Sequence, residues 1–578
     1  MQISCIIYLP AKHIMSLTKK HLFTCLILVC AVARMSAQGL PDSTTKKIDA
    51  LFKWWDRNGS PGYAVGIVRN DSLIFAKGYG MANLEYNIPI TPETIFHMAS
   101  VSKQFTAFSI VLLARQGKLN LDDDIHKYLP WFPDLKVKIT VRNLLNHTSG
   151  IRDQWQLLAI AGTRLDDVIT QDQIIKILGK QQALNFKPGE EYSYSNSGFT
   201  MLAEIVRAVS GKSLRKFTDS AIFKPLGMSN THFHDDYMEI VPNRSYSYGR
   251  KDKHFENNIL SYSVAGATSL FTNIDDMSKW VMNFYDHKVG DQQDIEQLTQ
   301  KGKLNSGKEI NYALGISVDD YKGHKMYSHN GADAGYRTAV NIFPDLKMGV
   351  IVFSNLGDTD PYGKAAQLSN LFVKDLLPKK ITPKPAVADS ARAIFNDTLA
   401  IKKFTGSYIA DDGARLSLEL KNKKLYLDEN GHSNQLVKGT KDTLLMPNWA
   451  EVKFVFMVKS PKETIVDESW GDNHRQLVKY NADAKQTDEL LQTYTGNYYC
   501  PELDCSYQIV LKDHHLLLTN SKYNDTRLTL YGDNHLTDDF WWMDNLMILR
   551  NNKGQIKGFE VNSGRIKHLL FNRNRDRD

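Results

Sequence analysis

The stretch Phe96-His97-Met98-Ala99-Ser100-Val101-Ser102-Lys103 constrains the fold more than any other part of the chain. An apolar run follows at once, with Phe105, Ala107, Phe108, Ile110, Val111, Leu112 and Leu113. This run predicts a buried helix, and Gly117 predicts its C-terminal stop. Residues three apart share a helix face, with Cβ atoms about 5–6 Å apart, so Lys103 can reach Ser100 with no help from the rest of the fold. The pattern puts Ser100 in the first turn, where free N–H groups and the helix dipole favour negative charge. A serine hydroxyl becomes a nucleophile when a neighbouring base takes its proton. A lysine in a dry pocket is such a base, because burial disfavours its charged form. Ser-x-x-Lys alone also describes a capping serine beside a surface lysine, so other residues must decide.

With 578 residues the chain is too long for one ordinary domain. Its 42% hydrophobic and 23% charged residues, without a low-complexity tract, are those of a globular protein. Residues 1–37 read as an export signal. Lys19-Lys20-His21 is a basic head, Leu22 to Ala33 an apolar run too short to span a bilayer, and Ser36-Ala37 a small-residue cleavage site. Met15 is an alternative start, and a retained anchor is the competing reading of the apolar run. Removing this segment takes away Lys12, Lys19, Lys20 and Arg34, and lowers the formal net charge from +7 to about +3. That balance, with no basic patch interleaved with aromatics, argues against a nucleic-acid partner. No membrane span is expected after processing, and the oligomeric state is not legible. Cys500 and Cys505 are the cysteines outside the segment, and in an oxidising compartment they are spaced for a small disulfide loop. The segment offers too few ligands for zinc, and no metal or cofactor is expected.

Thr44 to Trp55 predicts a helix. Tyr63–Val68 and Leu73–Gly78 predict a hairpin turning at Asn70-Asp71, and Tyr336–Phe343 with Met348–Ser354 predicts a second, around 344–347. Between them, 167–209 reads as mostly helical, broken at Lys187-Pro188-Gly189. Strands at both ends with helices between imply one antiparallel sheet built from both termini, with a helical lobe inserted. Pro- and Lys-rich residues 378–385 suggest a stiff linker, placed at 377–400. Beyond it come short alternating runs such as Leu416-x-Leu418-x-Leu420, an all-β signature. Phe404-Thr405-Gly406-Ser407-Tyr408 recurs as Tyr494-Thr495-Gly496-Asn497-Tyr498. Two related β-barrel-like modules are therefore expected, at 401–487 and 488–578, against the alternative of one larger barrel.

Three more segments fit the Ser–Lys pair. Tyr194-Ser195-Asn196 follows Pro188-Gly189 and opens an apolar run. A phenol relays or accepts the serine proton if cations lower its pKa, and an asparagine amide orients lysine and substrate. His329-Asn330-Gly331 precedes the last hairpin, where Gly331 would let substrate approach the strand. His147, in the polar turn His147-Thr148-Ser149-Gly150, is read as a residue that ties loops together.

In this order and spacing the motifs resemble those of the serine β-lactamase and penicillin-binding protein superfamily. They resemble most the class C β-lactamase-related hydrolases, which include esterases, D-aminopeptidases and D,D-carboxypeptidases. The resemblance covers about 45–375. It implies an α+β catalytic domain over 38–376, with an antiparallel sheet and a helical lobe, ahead of the all-β modules. It implies Ser100 as nucleophile, Lys103 and Tyr194 as the proton-handling pair, Asn196 as orienter, and an oxyanion hole of the Ser100 and Ala332 backbone N–H groups. Asn330 and Gly331 would line the substrate. One departure stands out: His329 occupies the place where penicillin-recognising relatives tend to have lysine. A neutral histidine does not hold a carboxylate, so the expectation moves towards ester, amide or peptide substrates, with Arg337 as an alternative cation. The competing readings are a penicillin-binding protein or β-lactamase acylated by β-lactams, and a silent binding or sensor protein. Because the motifs end before residue 376, the modules are expected to add no catalytic residue and at most to cover the cleft mouth.

Overall fold

The computed structural model describes residues 40–374 and 402–574, apart from short gaps at 430–431, 439–442, 447–448, 461–462, 471–472 and 483–484. The expected signal peptide 1–37 and linker 377–400 lie outside the described residues. Among the described residues, no helix is long and apolar enough to cross a membrane.

Six antiparallel strands form the sheet that carries the site: β1 (Tyr63–Arg69), β2 (Ser72–Tyr79), β3 (Ser317–Tyr321), β4 (His324–Asp333), β5 (Tyr336–Phe343) and β6 (Met348–Ser354). Their order, β3-β4-β5-β6-β1-β2, joins the two ends of the region through β1 and β6, with Tyr63 opposite Ser354 and Arg69 opposite Met348. The expected assembly from both termini is the one that forms. Asn70 and Asp71 both take positive φ, 47° and 62°, the left-handed pair whose twist suits a two-residue hairpin.

The helices that bear on the site are α1 (Asp42–Phe52), α2 (Ser102–Arg115), α3 (Gln154–Ile160), α4 (Asn196–Ser210), α5 (Ile274–Asp286) and α6 (Pro361–Phe372). The sheet has a helix layer on each face. Tyr63, Val65 and Ile67 pack with Ile48 and Phe52 of α1 and Ala365 and Leu368 of α6. Ala64 and Val68 point the other way, into the core shared with the inserted lobe. This alternation is the two-residue period of a strand buried on both sides. Helix α2 runs through that second core, buried from Ser102 to Leu113, with Phe105 and Phe108 packed on Trp280 of α5 at 4.3 and 5.3 Å between ring centres. The buried polar side chains of α2 are hydrogen-bonded, as Ser109 Oγ is to the Phe105 carbonyl and Thr106 Oγ1 to the Gly266 carbonyl (both 2.8 Å). Gly117 (φ 67°) stops it, donating its N–H to the Ala114 carbonyl at 2.9 Å.

Two local expectations are corrected. Ser100 sits in a 3₁₀ turn, Ala99–Val101, just before α2. The Ser102 hydroxyl fastens this turn: it donates to the Ala99 carbonyl (2.6 Å) and accepts from the Leu270 N–H (3.0 Å). The region 167–209 is helical only over Gln171–Leu178 and α4. The segment between is laced to the 147–150 turn by backbone bonds: Asn185 N–H to Gly150 O, Gly189 N–H to Thr148 O and Ser193 N–H to His147 O.

The C-terminal part is all β. Strands from Gly406 to Tyr480 make a nine-stranded antiparallel sheet, and eight strands from Gly496 to Asn574 close into a barrel. The edge strands of the first, His432–Gln435 and Val437–Lys438, are consecutive in the chain. The sheet must therefore curl until its edges meet, barrel-like without a closing ladder. The sequence repeat is also a structural repeat. Tyr408 donates its hydroxyl to the Phe404 carbonyl (2.8 Å), and Tyr498 does the same to Tyr494 (2.7 Å). The intervening Gly406 and Gly496 hold φ of 130° and 147°, a conformation that only glycine adopts easily. Among the described residues the two β regions form separate sheets.

Cys500 and Cys505 face each other as a cross-strand pair, but both thiols are free, against the disulfide expectation. Cys505 Sγ instead donates to the Ile160 carbonyl of the neighbouring lobe at 3.6 Å.

Candidate active site

The site lies where the turn before α2, the start of α4 and the end of β4 converge. Lys103, fully buried, has Nζ within hydrogen-bonding distance of three oxygens: Ser100 Oγ at 3.2 Å, Asn196 Oδ1 at 2.9 Å and the Ala267 carbonyl at 2.7 Å. Burial, and after it the positive charge of Arg565, hold the lysine well below its ordinary pKa; Asp153 and Asp333 pull the other way.

Asn196 is held by an acid that sequence reasoning did not select. Both its backbone N–H and its Nδ2 donate to Asp153 Oδ2 at 2.8 Å, while Asp153 Oδ1 accepts from the Trp155 N–H and caps α3. With Asp153 taking the amide NH₂, Asn196 must turn its carbonyl oxygen to Lys103. Nothing in the motif spacing marks Asp153.

Tyr194 lies beside them, with Lys103 Nζ 4.9 Å from its ring centre. Burial raises its phenol above the ordinary value, and Ser100 and Arg565 offset only part of that rise. This corrects the idea that cations make it acidic: the resting side chain is a protonated phenol. Its buried hydroxyl has no well-formed hydrogen bond among the described residues. His147 supports the ring at 4.1 Å, and its Nδ1 accepts the Ser195 N–H at 3.2 Å. Burial keeps it neutral. The loop-tying role expected of it is what the structure gives.

His329 is pinned through both nitrogens. Nδ1 donates to the Asn330 carbonyl (2.7 Å), leaving Nε2 to accept the Tyr312 hydroxyl (2.8 Å). Burial, then the nearby Lys103 charge, bring its pKa down to about 3, so at neutral pH it offers no positive charge. Gly331, in the cleft lining, also allows a close packing contact. A Cβ there would lie 2.4 Å from the Met98 carbonyl and 2.2 Å from Thr338 Oγ1, so β4 rests against the turn that carries Ser100. Asn330 and Ala332 are exposed on the cleft wall. Behind Ala332, Asp333 Oδ2 accepts from Thr268 Oγ1 (2.7 Å) and lies 3.0 Å from His97 Nε2, fixing the strand end. Arg337 turns its Nη1 to the Ala334 and Tyr336 carbonyls.

The cleft has a volume of about 1010 Å³, and its wall includes Trp541, Gly564 and Arg565 of the barrel as well as Ser100, Tyr194 and Ala332. The barrel thus does more than cover the mouth. It is fastened by buried Arg152, whose Nη1 donates to both Glu502 carboxylate oxygens (3.1 and 3.0 Å) and whose Nη2 donates to the Lys567 and His568 carbonyls. Arg152 immediately precedes Asp153, so the barrel anchor and the Lys103–Asn196–Asp153 hydrogen-bond network share one turn of chain.

Fold and site together define a serine hydrolase of the Ser-x-x-Lys type. The Beta-lactamase family model matches residues 45–373, and the chain belongs to that family. It is 27% identical to penicillin-binding protein 4* of Bacillus subtilis over 401 residues, 67% of this chain and 88% of that protein. It is 30% identical to the D-aminopeptidase of Brucella anthropi over 297 residues, 51% of this chain and 56% of that protein. Among solved structures, the octameric penicillin-binding protein homologue from Pyrococcus abyssi superposes with a TM-score of 0.50 at 24% identity, over 75% of this chain and 98% of the other, a likeness of fold.

Proposed function

We propose that the chain is an exported serine hydrolase that cleaves ester or D-amino acid amide and peptide substrates through an acyl-enzyme on Ser100. The observation that carries this is the set of three partners around Lys103. A neutral amine has two N–H groups and one lone pair. The shorter contacts, Ala267 O and Asn196 Oδ1, take the N–H groups, which leaves the lone pair facing the Ser100 hydroxyl. Lys103 then takes the Ser100 proton as Oγ attacks the acyl carbon. The Ser100 and Ala332 N–H groups receive the oxyanion, and each such donor is typically worth about 3–4 kcal/mol to the transition state. The Tyr194 phenol passes a proton to the departing atom, and the pair later activates the hydrolytic water. Asn330 and Gly331 border the acyl group.

The neutral His329 argues against substrates whose carboxylate must face β4. The second reading, slow acylation by β-lactams, is favoured by the likeness to penicillin-binding protein 4* along most of that protein's length. Comparing kcat/KM for a p-nitrophenyl ester, a D-alanyl amide and a penicillin at pH 6 and pH 8 separates the two. Ester or amide turnover far above that of penicillin is expected; efficient penicillin turnover at pH 8 would make the protein a β-lactamase. Export rests on residues 1–37 and predicts a mature N-terminus at Gln38. In this reading residues 38–376 form the catalytic domain, followed by the 377–400 linker and modules at 401–487 and 488–578.

A further inference from the structure

The hairpin turn between barrel strands Ile556–Ser563 and Ile566–Asn574 enters the cleft with Arg565 at its tip. Its backbone is clamped from the catalytic side. Arg565 N–H donates to Gln156 Oε1 (2.9 Å), and its carbonyl accepts from Asn185 Nδ2 (2.9 Å). Gln156 Nε2 also donates to the Ser563 carbonyl at 2.6 Å, and Asn185 Oδ1 accepts the Lys567 N–H at 2.8 Å. Gln156 and Asn185 are both buried. The side chain they position is 47% exposed, with its guanidinium carbon 4.9 Å from the Tyr194 ring centre. One long contact, Nη1 to Asp153 Oδ2 at 3.5 Å, is its only side-chain hydrogen bond among the described residues. Asp153 is already engaged by Asn196 and Trp155, so most of the guanidinium fork is left facing the cleft.

We infer that Arg565 is a specificity-determining residue: it receives a carboxylate carried by the leaving group. The inference rests on the serine hydrolase reading, in which Tyr194 protonates the departing atom. That atom must lie at the Tyr194 hydroxyl. A carboxylate two bonds away, as in an amino acid leaving group, is then within reach of Arg565, whose guanidinium carbon is 4.9 Å from the Tyr194 ring centre. A guanidinium fork is matched to a carboxylate. The β4 strand offers no cation at His329, so the barrel supplies one from the opposite wall. A flexible leaving group can rotate its carboxylate to Arg565, whereas a carboxylate locked by a fused ring cannot. The substrate class is therefore acyl donors, peptides above all, cleaved immediately before a residue with a free carboxylate.

The test uses the full chain and two thioesters with the same acyl group, S-acetylthioglycolate and S-acetylthioglycolamide, whose carboxylate or amide carbon sits two bonds from the departing sulfur on a freely rotating arm, each corrected for its reactivity with hydroxide. Wild type should prefer the carboxylate by about 10- to 100-fold in kcat/KM, the range of a charge-assisted pair. Arg565→Ala should bring the ratio close to one, Arg565→Lys should keep part of it, and Arg565→Glu should invert it. Stoichiometric labelling by a fluorophosphonate certifies that each variant is folded and its serine reactive. A wild-type ratio near one, or a ratio that survives in Arg565→Ala, overturns the inference while leaving the hydrolase reading intact. Failure of wild type to label at Ser100 and to cleave either thioester removes both.

Discussion

Arg565 and Asp153 bear on Lys103 with opposite charge, and this gives a prediction whose sign is fixed by the structure. A positive neighbour disfavours the protonated lysine and lowers its pKa; a negative neighbour raises it. Lys103 Nζ and the Arg565 guanidinium carbon are each 4.9 Å from the Tyr194 ring centre, so the two charges are at most about 10 Å apart. At that distance and an effective dielectric of about 20, Coulomb's law gives about 1.7 kcal/mol, or roughly one pH unit. Arg565 is nearly half exposed, and solvent screening reduces this to about 0.5–1 pH unit. The assay is the pH dependence of acylation by p-nitrophenyl acetate, which carries no anion for Arg565 to bind. Protonation of Lys103 sets the acid limb. Arg565→Ala should move that limb to higher pH, and Asp153→Asn should move it to lower pH, whatever either does to the plateau. Limbs that move together, or stay fixed in both variants, would refute Lys103 as the titrating base.

Lys103 and Tyr194 handle the same proton, so Lys103→Ala, Tyr194→Phe and the double variant should show similar large losses in kcat; a double loss equal to the product of the single ones would make them independent. Gly331→Ala should push β4 off the Ser100 turn, lowering Tm and kcat together, at a cost of about 1–3 kcal/mol in chemical denaturation. Glu502→Ala leaves Arg152 buried without its partner and should cost about 3–5 kcal/mol, seen as early loss of the barrel in limited proteolysis. For the same reason, truncation near residue 380 should expose Arg152 and remove Arg565 from the cleft, so hydrolysis of a small neutral ester should outlast any leaving-group selectivity.

Much of this was legible because the governing interactions are local. The β1–β2 and β5–β6 hairpins follow from alternation and turn residues, and the stop of α2 from Gly117. The Ser100–Lys103 contact follows from spacing within one turn and survives the shift of Ser100 into a 3₁₀ turn. What escaped depends on contacts distant in sequence. Asp153 is marked by no motif until the fold brings Asn196 to it, 43 positions on. Tyr312 reaches His329 from the segment before β3, 17 positions away in sequence. Arg565 is 412 positions from the aspartate it approaches, and no periodicity announces that a barrel turn will enter another domain's cleft. The free thiols of Cys500 and Cys505 show the same limit: spacing made a disulfide reasonable, but one thiol faces a carbonyl contributed by the neighbouring lobe.

The central claim is that Ser100 carries the acyl group. The most direct test is intact mass of the full chain after brief incubation with a fluorophosphonate, followed by peptide mapping. One adduct per chain is expected, on the peptide containing Ser100, absent in Ser100→Ala and strongly slowed in Lys103→Ala. An adduct on Ser102 or Ser149, or labelling and turnover that persist in Ser100→Ala, would contradict the account.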